Sequence, residues 1–160
     1  MSEREQDATP ALADARRKRE RLHGSLVRAE AAIAKPAPGR VPDWTNAAHK
    51  ALIDLRDAFE SHIAATESPG GLYQEILTAA PRLAGTVSRL GDEHPVILAA
   101  IGEQLGRLER MESATDLPDD EGVGEVRDGV QRVLGQVVRH RQHGADLVWE
   151  AYNLDIGGPE

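Results

Sequence analysis

Apolar residues recur along most of this chain at three- and four-residue steps, the period of a helix with one buried face. A first helix, A, is expected over residues 10–35, with Leu12, Ala15, Leu22, Leu26, Ala29 and Ile33 on its stripe. The stretch Lys35-Pro36-Ala37-Pro38-Gly39 stops it. Helix B begins near Asp43, a good N-cap, and its stripe reads Trp44, Ala48, Leu52, Leu55, Phe59, His62. Ser68-Pro69-Gly70-Gly71 interrupts it. A shorter helix follows over residues 72–90, with Pro81 as a kink or as its true start. Helix C starts after Gly91-Asp92, with Pro95 in its first turn and His94, Ile97, Leu98, Ile101, Leu105 and Leu108 inward. An acidic loop spans residues 112–121. Helix D, residues 123–152, carries Val126, Val130, Val133, Val137, His140, Gly144, Leu147 and Ala151. No strand pattern and no internal repeat survives. The expected fold is all-α, an antiparallel up-down-up-down four-helix bundle with an extra short helix between B and C. Residues 1–8 are expected to be disordered, residues 9–156 to form the bundle, and residues 157–160 to be a tail.

Composition narrows this. The 160 residues suit one domain, and 40% are hydrophobic but only 3% aromatic. The core is therefore built from small aliphatics, which favours closely packed helices over a sandwich. The net charge of −8 argues against nucleic-acid binding. The basic run Arg16-Arg17-Lys18-Arg19 reads as a solvated helix face. There is no cysteine, which excludes disulfides, thiolate metal sites and cysteine nucleophiles. No apolar run approaches the ~18–20 residues of a membrane span, and Met1-Ser2-Glu3-Arg4-Glu5 has no signal-peptide character. A cytoplasmic protein without membrane contact is expected.

The candidate chemistry lies in the histidines. His62 shares the face of Leu55 and Phe59, His94 heads the helix C stripe, and His140 lies seven residues from both Val133 and Leu147. An inward imidazole needs a partner, since an unpartnered buried polar group costs about 1–3 kcal/mol. A shared metal ion is one such partner; a neighbouring tyrosine or carboxylate is another. Glu67, five residues after His62, lies about 140° off that face in a straight helix, so it joins His62 on an ion only if the helix ends or loosens there. His23 flanks the helix A stripe and is a further candidate ligand. His143 is expected to pair with Asp146 or Glu150, and His49 to lie on the surface. Imidazole and carboxylate ligands projecting into a bundle suit iron, manganese or zinc.

His62 with Glu67, the Asp92-Glu93-His94 start of helix C, and His140 on helix D together resemble the hemerythrin-like, or HHE cation-binding, family. The stretch Thr66-Glu67-Ser68-Pro69-Gly70-Gly71-Leu72-Tyr73 and the segment from His140 to Tyr152 are similar to a divergent bacterial subgroup of it. The resemblance covers about residues 10–156. It implies a bundle holding non-haem iron, mono- or dinuclear, through His23, His62, Glu67, His94 and His140. It also implies a role in sensing or handling iron, O2 or NO. The chain departs from the family pattern at three places. Thr66 stands where a glutamate is expected, Leu98 replaces a second histidine on helix C, and Ala145 replaces a carboxylate on helix D. Fewer ligands remain than a diiron centre uses, so a single metal or an empty bundle is also consistent with the residues.

Other chemistries find less support. A ferritin-like site needs two Glu-x-x-His motifs, and only Glu20 to His23 fits. Phosphate-binding loops, zinc-protease motifs and a nucleophile elbow are absent. An enzyme is the least favoured reading, because no substrate pocket can be read from the sequence. The alternative to a metal protein is a metal-free bundle acting by protein contact, for example as a homodimer.

Overall fold

The computed structural model describes residues 8–114 and 120–154. The expected 1–8 and 157–160 termini fall outside these residues, Ala8 excepted. Five α-helices form among the described residues: α1 (Pro10–Ala34), α2 (Val41–Glu67), α3 (Leu72–Ala79), α4 (Ala84–Ser113) and α5 (Asp120–Trp149). A 3-10 turn, Pro81–Leu83, joins α3 to α4, and α5 ends in a wider π turn, Glu150–Leu154. The four long helices form the expected all-α bundle, each packed on the next and α5 returning to α1. No helix among the described residues is long and apolar enough to cross a membrane.

Local chemistry sets the ends. The Thr9 hydroxyl accepts from the Leu12 N–H at 3.2 Å, and Pro10 opens α1 with a nitrogen that needs no acceptor. At the other end Arg127 donates to the Ile33 carbonyl at 2.8 Å while its guanidinium stacks over Trp44. α2 starts at Val41, so Asp43 sits in its first turn and is not its cap. There its charge meets the positive end of the helix dipole. Beyond α2, Gly70 turns with φ +77°, and a Cβ on Gly71 would lie 2.8 Å from the carbonyl oxygens of Ala65 and Ser68. Only glycine lets the chain fold back this tightly over the end of α2.

Three expected element bounds are corrected. The helix expected over 72–90 breaks at Ala80-Pro81, because the residue before a proline is pushed out of the helical region. Helix C then begins at Ala84 and runs straight through Gly91, Asp92 and Pro95. Pro95 gives up one backbone bond within that helix, but the apolar burial of Val87, Leu90 and Ile97 on either side holds the helix together. The acidic loop is also shorter than expected: α4 reaches Ser113 and α5 starts at Asp120. Residues 115–119 of that loop lie outside the described residues.

The core has two parts. The larger runs from Leu22 and Leu52 to Leu108 and Val137 along the bundle axis. The smaller gathers Leu12, Tyr73, Ile76, Leu83, Leu90 and Leu147 around α3. α3 is therefore a core element at one end of the bundle. Glu75 fastens it there, accepting from the Thr9 hydroxyl at 2.8 Å and from the Tyr152 hydroxyl.

Candidate metal centre

Three imidazoles meet where the two cores adjoin. His62 comes from α2, His94 from α4 and His140 from α5; their exposures are 9%, 1% and 1%. Phe59 lies on the side of the larger core, its ring 5.7 Å from each imidazole between centroids. Tyr73 of α3 stacks on His94 from the other side, centroids 5.9 Å apart and planes 8° apart. His94 is thus held between two aromatic rings, while Phe59 also meets His62 and His140. One nitrogen from each gathers within 4.8 Å of the others. His140 Nε2 is 3.1 Å from His62 Nε2 and 3.1 Å from His94 Nε2.

The other side of the rings fixes the protons. His94 Nδ1 lies 3.0 Å from Glu67 Oε1, and His140 Nδ1 lies 3.1 Å from Glu93 Oε2. A carboxylate only accepts, so both Nδ1 atoms carry hydrogen and donate. In a neutral ring the Nε2 atom is then a bare lone pair. His94 and His140 therefore bring two lone pairs together at 3.1 Å, whichever tautomer His62 adopts. Either a proton or a cation must lie between them. Burial disfavours the proton: it holds all three imidazoles below the usual histidine range, His62 to about 3, while Glu67 and Glu93 oppose it only in part. A metal ion is the other occupant that the three nitrogens could hold. Two nitrogens bound to one first-row ion at ~2.0–2.1 Å lie about 2.9–3.4 Å apart, a range that includes the 3.1 Å of the two pairs made by His140. A carboxylate behind each of two ligating imidazoles is a usual support for such sites.

Of the five ligands expected from sequence, the structure gathers His62, His94 and His140. His23 is exposed on α1, outside the cluster. It is one residue past the inward Leu22, and a step of about 100° turns it to solvent. Glu67 does not join the three nitrogens; α2 stays helical through Glu67, so the carboxylate meets the outer edge of His94. Thr66 turns its hydroxyl back to the His62 and Ile63 carbonyls at 3.0 and 3.1 Å. Leu98 packs on the larger core. His143 is exposed and lies nearest Glu93, 3.6 Å away, instead of pairing with Asp146 or Glu150. His49 pairs with Glu112 at 3.0 Å.

Sequence reasoning missed Glu93, Tyr73, Arg19 and Arg141. A cavity of about 120 Å³ opens between α1 and α5 onto His62 and His140, lined also by Arg16, Arg19, Arg141 and Tyr73. Ala145 lines it too, where the resemblance calls for a carboxylate. Burial holds the Arg141 guanidinium below its ordinary range, and the charge of Arg19 adds to this.

Two predictions arise here. Glu93→Gln keeps the shape but removes the charge behind His140, and metal affinity should fall about 10–100-fold by competition with a chelator dye. In metal-free protein the buried His62 imidazole stays neutral while the same residue in the unfolded chain takes up a proton from pH 6.5 downward. Stability should be full above that pH and fall as the pH drops towards about 3, where His62 protonates in the fold. Urea midpoints at pH 7 and pH 5 check the sign; an equal or higher midpoint at pH 5 would contradict it.

No model of a protein family, no curated protein and no solved structure matches this chain.

Proposed function

We propose that this chain binds one first-row transition-metal ion through His62, His94 and His140, and presents it to a small ligand entering between α1 and α5. The observation that carries the reading is the meeting of the His94 and His140 lone pairs at 3.1 Å, with both outer protons fixed by carboxylates. Three imidazoles suit zinc, copper, iron and nickel, and three protein ligands leave further positions open. Iron is the ion we favour, on the resemblance of the His62, His94 and His140 segments to hemerythrin-like proteins. Iron bound there supplies open, redox-active positions of the kind that take O2 or NO. A single ion is favoured over a pair because Glu67 and Glu93 are engaged on the outer edges of the rings and do not bridge the centre.

The residues themselves do the positioning. Glu67 and Glu93 orient two rings, Phe59 packs against all three imidazoles and Tyr73 stacks on His94, and the cavity gives access. The reading is of a binding or sensing protein and not of an enzyme.

Anaerobic titration of chelator-treated protein with Fe(II), followed by NO, tests this. Saturation at about one equivalent and a visible absorption change on adding NO are expected, both lost in His62→Ala. Saturation that is unchanged in His62→Ala would overturn the assignment.

A further inference from the structure

The cavity beside the histidines has an unusual charge for this protein. The chain has 27 acidic and 19 basic residues, yet among the described residues the cavity is lined by three arginines, Arg16, Arg19 and Arg141, and by no carboxylate. The Nε atoms of Arg19 and Arg141 are buried with no hydrogen-bond partner among the described residues. No ion pair engages either guanidinium among those residues. The outer nitrogen of His62, Nδ1, is also buried and unpartnered, in a ring that lines the same cavity. Buried donors left unmade are costly, and guanidinium groups are shaped to grip a planar anion with paired bonds. The sequence reading of residues 16–19 as a solvated face therefore holds for Arg17, which is exposed and paired with Asp14, and fails for Arg19.

We propose that the cavity between α1 and α5 binds a short-chain carboxylate, its headgroup held by Arg19 and Arg141 beside His62. The rest of the lining selects the class. Leu12, Ala15, Leu72, Leu147 and Val148 give the cavity apolar walls that suit a short hydrocarbon tail and not a fully hydrated inorganic ion. Its volume of about 120 Å³ sets the size. A water takes roughly 10–15 Å³ in that measure, so the space holds about eight to twelve water-sized atoms. A four-carbon acid fits. The basic run thus supplies one arginine from α1, and α5 supplies the other from the residue after His140. Charge also links this site to the metal. Two guanidiniums beside a divalent cation repel it, and an anion among them relieves the repulsion, so metal and carboxylate should each tighten the other's binding. That coupling rests on the metal reading; the arginine grip does not.

Calorimetric titration of metal-loaded and chelator-treated protein with butyrate tests the inference. Butyramide serves as the neutral isostere and inorganic phosphate as the competing anion. Butyrate is expected to bind, butyramide not, and the metal-loaded form to bind more tightly. Arg19→Met and Arg141→Met keep the apolar stems, and each should weaken butyrate by about tenfold or more with the helical circular dichroism intact. The wild-type contrast between butyrate and butyramide stands even if a variant fails to fold. Absence of butyrate binding to metal-loaded protein overturns the inference and leaves the metal reading in place. Equal binding of butyramide, or phosphate binding without butyrate, overturns it as well. Arginine-dependent butyrate binding in a protein that takes up no metal supports the carboxylate site and overturns the metal reading instead.

Discussion

Phe59→Ala should destabilise the protein by about 3–5 kcal/mol, the range for truncating a fully buried aromatic ring. Phe59 is 0% exposed and belongs to the larger core. Its ring also lies 5.7 Å from each of His62, His94 and His140, two of them edge-on. Contacts of this kind add about 0.5–1.5 kcal/mol each to plain burial. A domain of this size has only about 5–15 kcal/mol in total, so the variant stands near the edge of folding. Urea denaturation at pH 7 reads the change. Phe59→Leu leaves a smaller void and should lie between the two. A loss below about 1 kcal/mol for Phe59→Ala would mean that the ring does not support the three imidazoles as described.

His140→Ala should abolish metal uptake. The Nε2 atom of His140 lies within hydrogen-bond distance of the Nε2 atoms of both His62 and His94, 3.1 Å from each, so its removal leaves two nitrogens that have lost their common neighbour. A metal at one hundred times its dissociation constant stabilises a fold by about 2.7 kcal/mol. For a chain of this length that is roughly 5–11 °C in Tm. The wild type should show this rise on adding metal, and His140→Ala should not. The comparison is made between loaded and chelated samples of the same variant, so any direct cost of truncating His140 cancels. A metal-dependent rise that survives in His140→Ala would place the ion elsewhere, with the exposed carboxylates as the first suspects.

The helices were legible because their buried faces repeat without interruption, as in Leu52, Leu55, Phe59 and His62. The three central histidines were legible for the same reason: each occupies a position where the stripe otherwise has an aliphatic residue. The start of α4 was not. Gly91 and Pro95 read as punctuation, but the burial of Leu90, His94 and Ile97 along one face outweighs local propensity. His23 misled because a residue beside the stripe is only one helical step from solvent. Glu93 was hidden because its partner, His140, is 47 residues away and on another helix. Arg19 and Arg141 were hidden more deeply. Each looks like an ordinary charged residue in its own helix, and only the packing of α1 on α5 brings them to one cavity. Spacing within a helix reveals which side chains share a face; it does not reveal what the facing helix brings to meet them.

The most direct test of the central claim is the metal content of protein grown in iron-supplemented medium and purified with neither chelator nor histidine tag. Close to one transition-metal ion per chain is expected. Well-folded protein with less than about a tenth of an equivalent of any transition metal would contradict it, and the buried imidazoles would then be sharing a proton.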